Sequence, residues 1–200
     1  MADDALECDL ESRPEIVDDD QTLVSAAQRD PEAAGRLYDK YYGEIFGYLY
    51  HCTLDRTATE DLTSNVFLAV FRHVGRYRWQ QVPFRAWLYR IATNEIRMHY
   101  RRHKRDKTAG LEGQSVLSQG SVPSADEGPA AAEEYRLLHK ALLGLRWKYR
   151  TVIILRYFEN KTMAEISNIT GRREGTIKSQ LHRGLAQLQE ILVRWGVLPQ

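Results

Sequence analysis

Residues 162–183 of this 200-residue chain read TMAEISNITGRREGTIKSQLHR, and they predict two helices joined by a tight turn. Thr162 and Glu165 occupy the positions of a capping box, in which the two residues satisfy each other's backbone donors at a helix start. Gly171 then supplies the turn, because glycine adopts a positive φ without steric cost. The apolar residues that follow keep helical spacing: Ile177, Leu181, Leu188 and Leu192. A short helix, a glycine turn and a longer helix are typical of a helix-turn-helix.

The outward side of the second predicted helix is basic, and so are the residues that lead into it. Such donors suit phosphate oxygens and guanine edges, and the second helix of a helix-turn-helix lies in the major groove. An ordinary helical hairpin, which a glycine turn also produces, is the alternative interpretation. We favour DNA binding because basic side chains cluster on the solvent side: Arg172, Arg173, Lys178, His182 and Arg183.

Charge is distributed unevenly along the chain, although the net charge is only +1. Residues 1–34 carry eleven acidic and two basic side chains. Residues 71–107 carry eleven basic and two acidic ones, and residues 135–200 carry twelve basic and four acidic ones. Two separate basic blocks favour nucleic acid as a partner over the alternative of ordinary solvated helix faces.

Residues 108–130 separate the two basic blocks and have the composition of a flexible linker. Ten of these twenty-three positions are Gly, Ser or Pro, and none is Lys or Arg. We therefore predict an acidic, disordered tail over residues 1–21, a larger unit over 22–107, the linker, and a smaller unit over 131–195. Apolar residues in both units recur at helical rather than alternating spacing. The predicted fold class is all-α, with two small helical domains joined by the linker.

Composition excludes several classes of protein. No apolar run approaches the roughly 18 residues that a membrane helix needs. The first twenty residues carry nine acidic residues and one basic residue, which is unlike a secretory signal. Cys8 and Cys52 cannot form a disulfide framework, and no Cys/His cluster has the spacing of a zinc site. We expect a cytoplasmic protein that needs no cofactor or metal.

The first basic block contains a predicted helix with a polar stripe, next to an aromatic loop. The stripe recurs at spacings of four, three and four, which places it on one helical face: Arg90, Asn94, Arg97 and Arg101. The preceding loop contributes Tyr77, Arg78, Trp79, Gln80 and Gln81. Unpaired bases stack on aromatic rings while their backbone follows positive charge, so this region suits single-stranded DNA. The alternatives are that Tyr77 closes the core and that Asn94 is an internally bonded structural residue.

Two stretches of the chain match the pattern of one known family. Residues 84–94, FRAWLYRIATN, follow Asp61-Leu62 and Phe67-Leu68, and this combination resembles region 2 of bacterial extracytoplasmic-function (ECF) sigma factors. Similarity to region 4 lies in Leu142 to Arg150, Leu155 to Tyr157, Glu165-Ile166, Gly175 to Ser179, and Arg183. The resemblance implies a dissociable initiation subunit that directs bacterial core RNA polymerase to specific promoters and promotes DNA melting. It also implies an anti-sigma factor as a partner and association with the nucleoid.

The resemblance assigns roles to particular residues. Contact with core polymerase, at the beta-prime clamp helices, falls on Asp61, Leu62, Asn65 and Phe67. Recognition of the −10 element falls on the loop and the stripe: Tyr77, Arg78, Trp79, Gln80, Gln81, Arg90, Asn94, Arg97 and Arg101. Recognition of the −35 element, beside the beta flap, falls on Arg172, Arg173, Glu174, Thr176, Lys178, Ser179, His182 and Arg183.

Three other functions fit parts of the sequence. A plain helix-turn-helix regulator would need a ligand or dimerisation domain, and the basic first unit looks like neither. A sigma-like decoy that binds an anti-sigma factor would have no use for the arginine stripe, although Ser64 and Asn65, which stand where the family usually has Gln-Glu, leave this alternative open. An enzyme is not expected, because the chain has no Gly-rich phosphate loop, nucleophile elbow or HExxH motif.

The acidic tail has two interpretations. Its composition is typical of a disordered, solubilising segment. Alternatively, Asp18, Asp19 and Asp20 fold back on the basic faces and weaken DNA binding in the absence of polymerase. Deletion of residues 1–20 would then raise the affinity of the free protein for promoter DNA, and an unchanged affinity at low salt would contradict this alternative.

Overall fold

The computed structural model describes residues 19–78, 82–108 and 129–198. Among them, four helices precede the predicted linker: α1 Asp19–Ala27, α2 Pro31–Thr53, α3 Arg56–His73 and α4 Phe84–Thr108, with a 3-10 turn Val74–Arg76 after α3. Four follow it: α5 Pro129–Gly144, α6 Trp147–Ile153, α7 Met163–Thr170 and α8 Glu174–Arg194, with a π-helical turn Ile154–Phe158 after α6. No strand occurs in these described ranges, and the predicted all-α fold class is confirmed.

Three predictions concern residues outside the described ranges. These are the acidic tail before Asp19, the loop residues Trp79, Gln80 and Gln81, and positions 109–128 of the predicted linker. The predicted domain boundaries stay predictions. Within the described ranges, no helix is long and apolar enough to cross a membrane.

The connection between α2 and α3 follows from local backbone chemistry. Asp30 caps α2, because its carboxylate accepts a hydrogen bond from the backbone N–H of Glu32 at 2.9 Å. Leu54 ends the same helix in the left-handed conformation, with φ 54°. Asp55 immediately begins α3, and its carboxylate accepts from the backbone N–H of Ala58 at 3.0 Å. The short reversal folds α3 back along α2.

Each unit buries the apolar stripe of its helices. In the first unit, α2 contributes five fully buried side chains that keep three-to-four spacing: Leu37, Tyr41, Ile45, Tyr48 and Leu49. In the second unit, α8 buries Ile177, Leu181, Gly184, Leu188 and Leu192. These are the four apolar residues predicted from spacing, together with one glycine that the apolar pattern does not include.

The two units pack against each other. Helix α4 of the first unit lies against α7 of the second, and α2 lies against α5 and the π-helical turn. The buried apolar side chains of both units form one continuous cluster. Sequence patterns predict the two units and the segment between them, but they do not predict this packing.

Candidate nucleic-acid interface

The helix-turn-helix has the predicted local geometry. The Thr162 hydroxyl accepts a hydrogen bond from the backbone N–H of Glu165 at 3.2 Å, and the Glu165 carboxylate accepts from the backbone N–H of Thr162 at 2.7 Å. Gly171 ends α7 with φ 68°, where an L side chain would be strained. The predicted capping box and glycine turn are therefore confirmed, and two residues separate Gly171 from the start of α8 at Glu174.

The first turns of α8 present a polar, mostly basic surface. Seven of the eight residues predicted to contact the −35 element are exposed: Arg173, Glu174, Thr176, Lys178, Ser179, His182 and Arg183. Arg172 is the exception, because it is half-buried and donates a hydrogen bond to the side-chain oxygen of Gln180 at 2.8 Å. Arg173 stands at the N-cap without a capping hydrogen bond from its side chain. The exposed set can meet DNA without rearrangement of α8.

Gly184 explains how closely α8 approaches α6. A Cβ atom at this position would lie 3.0 Å from both Cδ1 of Ile153 and Cβ of Tyr149. The absent side chain thus sets the spacing between α6 and α8, beneath the exposed surface of α8. Only the presence of a glycine among apolar positions signals this contact in the sequence.

The predicted −10 stripe is exposed on α4, while the loop before it is partly packed. Arg90, Asn94, Arg97 and Arg101 are all exposed, and so is Arg78. The exposure of Asn94 is unlike that of an internally bonded structural residue. The Tyr77 ring packs 5.6 Å from that of Phe84 and 5.1 Å from that of Trp87, and its hydroxyl donates to the carbonyl of Val82 at 2.8 Å. Tyr77 therefore contributes to the core of this unit.

The residues predicted to contact polymerase divide into two groups on α3. Asp61 and Asn65 are exposed. Leu62 and Phe67 are buried, at 4% and 2% exposure, so their side chains support α3 from inside. Other residues of α3 form its exposed surface. Leu68, next to Phe67, is 52% exposed and is an apolar side chain on the outward side of α3.

A cleft separates the stripe from the second unit. It encloses about 260 Å³ and is lined on one side by Arg90, Asn94 and Arg97 of α4, and on the other by Thr170 to Arg172 of the turn. Arg90 also donates a hydrogen bond to the carbonyl of Asn168 in α7 at 2.6 Å. In this arrangement the second unit borders the face predicted to bind single-stranded DNA and contacts it at Arg90.

An ionic cluster joins the two units beside this cleft. Lys161, almost fully buried, donates to the Glu44 carboxylate at 2.7 Å, and the ammonium group lies 4.5 Å from the centre of the Tyr89 ring. The Tyr89 hydroxyl donates to Glu159 at 2.7 Å. Burial raises the pKa of Glu159 above its ordinary value, although the bond from Tyr89 and the charge of Lys161 oppose the shift. These contacts link α2 and α4 to the segment after the π-helical turn.

Cys52 lies in the interior and not on the surface of the protein. Burial raises the pKa of the Cys52 thiol to about 12, so the thiolate that reacts with oxidants is scarce at neutral pH. Among the described residues, no group of three or more His, Cys, Asp or Glu side chains is arranged to hold a metal ion.

Family models and sequence relatives identify the family. The model of Sigma-70 region 2 matches residues 37–106, and that of Sigma-70 region 4 matches residues 135–188. The chain is 30% identical to the ECF RNA polymerase sigma factor SigW of Bacillus subtilis over 172 residues, which cover 82% of this chain and 90% of SigW. The chain belongs to the ECF sigma factors. Proteins of this family are RNA polymerase sigma factors that act with core polymerase on promoter DNA.

Other relatives agree with this assignment to the ECF family. SigL of Mycobacterium tuberculosis is 30% identical over 175 residues, which cover 88% of this chain and 97% of SigL. BldN of Streptomyces coelicolor is 30% identical over 174 residues, which cover 85% of this chain but 64% of BldN. The matched segments include both the α3–α4 region and the helix-turn-helix, so the two candidate surfaces belong to regions that the family shares.

Two solved structures share the ECF sigma fold. CnrH, solved in complex with the cytosolic domain of CnrY, matches with a TM-score of 0.65 and 21% identity, covering 88% of this chain and 97% of CnrH. RpoE of Bartonella quintana, solved with the anti-sigma factor NepR, matches with a TM-score of 0.62 and 21% identity, covering 79% of this chain and 95% of RpoE. The likeness shows that the helices of both regions are arranged as in other sigma factors.

Proposed function

We propose that region 4 of this ECF sigma factor reads the −35 element through the exposed face at the start of α8. The observation that carries the proposal is the placement of Thr176, Lys178, Ser179 and Arg183 on the solvent side of a helix whose opposite side is buried. Such a helix can enter the major groove with these side chains against base edges and phosphates. His182 and Arg173 extend the same surface toward the DNA backbone.

Region 2, by the same proposal, captures the melted −10 element on the α4 stripe. Three exposed guanidinium groups and one amide follow one face of the helix, and the Arg78 side chain lies at the adjoining loop. Positive charge would track the backbone of the displaced strand, while Trp79 and the neighbouring glutamines are proposed to contact its bases. Tyr77 supports this loop from the core.

The polymerase contact is proposed for the exposed side of α3. Asp61 and Asn65 supply polar groups there, and Leu68 supplies an apolar one. A mixed surface of this kind suits a reversible protein interface with an apolar centre and a polar rim. Leu62 and Phe67 hold α3 in place from beneath.

An anti-sigma factor is the proposed regulator, because the RpoE neighbour was solved with one. We also propose that the protein has no catalytic activity of its own and acts in the cytoplasm, at the nucleoid when bound to polymerase. Incubation with plasmid DNA and Mg²⁺ is expected to leave the plasmid intact. Cleavage of the plasmid would contradict this part of the proposal.

Transcription in vitro tests the function directly. Purified protein and sigma-free core polymerase from its host are incubated with a pool of random promoter sequences, and defined start sites that require the protein are expected. Lys178→Ala should reduce transcripts about tenfold, as expected for the loss of one base-edge contact. The matched control Arg194→Ala removes a positive charge from the exposed far end of the same helix and should have little effect.

The possible failures of this experiment distinguish the alternatives. A folded protein that yields no transcript with core from its own host would overturn the sigma assignment for this chain and favour the decoy. Binding to operator-like DNA without polymerase would favour the plain regulator. If Lys178→Ala and Arg194→Ala reduce the amount of transcript equally, the assignment of the −35 surface is contradicted.

A further inference from the structure

The two helical units meet around a pair of histidines. Nδ1 of His51 on α2 lies 3.1 Å from Nε2 of His139 on α5, and the two rings are stacked with their centres 5.3 Å apart. Phe158, from the π-helical turn, packs against both rings, with its centre 4.8 and 4.9 Å from theirs. The Tyr135 hydroxyl lies 3.2 Å from the same nitrogen of His51. The pair is thus enclosed by elements of both units.

Hydrogen bonding at the pair is satisfied when both rings are neutral. Nδ1 of His139 lies 3.0 Å from the carbonyl oxygen of Tyr135, which can only accept, so this nitrogen carries the proton. A neutral His139 then has its lone pair on Nε2, and Nδ1 of His51 donates to it. If both rings were protonated, two N–H groups and two positive charges would face each other across this contact. The closed contact therefore excludes the doubly protonated pair.

The surroundings favour the neutral form of both rings. Burial lowers the pKa of His51 to about 4, and the charge of His139 adds to the shift. Burial also lowers the pKa of His139, although the carbonyl of Tyr135 opposes it. Tyr135 of α5 contacts the pair, and the charges that act on Tyr135 belong to Tyr50 of α2 and Glu159 after the π-helical turn. Glu159, the acidic member, accepts from Tyr89 rather than from either histidine.

We propose that this histidine pair is a proton-sensitive latch between the two units, and that protonation of His51 and His139 separates them. Separation would break the hydrogen bond from Arg90 to Asn168 and open the cleft that borders the α4 stripe. Acidification would then release the surface that captures single-stranded DNA. The latch is a property of the packing alone, so it can be tested whether or not the promoter assignments hold.

The sign of the pH effect follows from the two states. Each histidine has a lower pKa in the closed state than in the open state. The closed state therefore has its full stability above the ordinary histidine pKa and loses stability as the pH falls below that value. From about pH 7.5 to about pH 6, the ratio of open to closed protein should rise roughly fourfold for one additional proton and more than tenfold for two. Glu159 acts in the opposite direction, because its raised pKa makes the closed state take up a proton more readily.

The distance between the units can be followed in the full-length protein. Ser64→Cys on α3 and Gln189→Cys on α8 place two exposed labelling sites on opposite units. Cys8→Ser removes the cysteine of the tail, and the buried Cys52 is left in place. The distance distribution is measured by double electron–electron resonance from about pH 7.5 to about pH 5.5. Far-UV circular dichroism at each pH verifies that the helices stay folded.

Three variants isolate the histidine pair. His51→Gln with His139→Gln removes both titrating groups while keeping polar side chains, and it should abolish the shift to longer distances on acidification. His103→Gln removes an exposed histidine of α4 and should leave the shift unchanged. Glu159→Gln removes the opposing carboxylate, so the shift should persist and become larger.

Several outcomes would overturn the proposal. These are an unchanged distance distribution in the parent protein, a shift toward shorter distances, and an equal shift in the double glutamine variant. Should that variant fail to fold, the imidazole proton resonances of the parent protein give the answer. Titration of His51 and His139 at or above the ordinary histidine pKa while the units remain together would refute the latch.

Discussion

At the scale of single residues, Gly184 shows how one missing methyl group sets the distance between two helices. We expect Gly184→Ala to destabilise the protein by about 1–3 kcal/mol, because the new Cβ would meet Ile153 and Tyr149 at 3.0 Å. Gly175→Ala is the matched control, since this glycine lies in the same helix and a Cβ there meets open space. Urea unfolding at neutral pH measures both, and equal free energies of unfolding would contradict the close-contact argument.

The capping box offers a second test at the same scale. Thr162→Ala removes the hydroxyl that accepts from the backbone of Glu165, and it should cost about 0.5–2 kcal/mol of unfolding free energy. Burial disfavours ionisation of Glu165, but the hydrogen bonds from Thr162, together with the charges of Lys161 and Arg85, outweigh it and lower the pKa of the carboxyl. This contribution is therefore present at neutral pH and is lost as the pH falls through that lowered pKa. Thr176→Ala, at an exposed position of α8, should leave stability unchanged at every pH.

At the scale of elements, α4 tests whether position on the helix matters more than charge alone. Arg97→Gln removes a member of the stripe, whereas Arg102→Gln removes an equally exposed charge that lies off the stripe. With core polymerase and a single-stranded −10 oligonucleotide, Arg97→Gln should weaken binding and reduce the slope of log affinity against log salt by about 0.7. Identical effects of the two variants would mean that binding of the oligonucleotide depends only on the net charge of α4.

The elements also show where sequence-based prediction succeeds. Some features depend only on neighbours within four residues, so they can be predicted from the sequence. These are the helix starts at Pro31 and Thr162 and the glycine turn at Gly171. The π-helical turn after α6 is different, because it is shaped by the side chains that pack on it. Phe158 of that turn contacts His51, more than a hundred positions away. Local spacing carries no information about such a partner.

The candidate sites divide in the same way. The exposed positions of α8 follow from helical periodicity once its buried side is known. On α3, periodicity and resemblance select the helix but not its outward residues, because two of the four predicted contact residues, Leu62 and Phe67, are buried while Leu68 is exposed. The contact between Arg90 and Asn168 and the cleft beside Arg97 depend on packing between regions that are distant in sequence. That packing becomes visible only in three dimensions.

At the scale of the whole molecule, the contact between Lys161 and Glu44 holds the two units together. Lys161→Met should shift the equilibrium toward separated units by roughly 1–3 kcal/mol, because it leaves the half-buried Glu44 carboxylate without its closest cation. Small-angle X-ray scattering of the full-length protein should then show a larger radius of gyration. The affinity of the free protein for single-stranded DNA should rise as the α4 stripe is uncovered.

The control for this prediction is an ion pair of similar length in an exposed position. Arg56 and Glu60 lie 2.9 Å apart within α3, and both side chains are more than half exposed, so Arg56→Met should change neither the radius of gyration nor DNA affinity. If Lys161→Met expands the protein without raising its affinity for DNA, the cleft does not restrict access to the stripe. If neither the radius of gyration nor the DNA affinity changes, the ionic cluster is a consequence of the packing of α4 on α7 and not its cause. The apolar cluster shared by the two units must then hold them together.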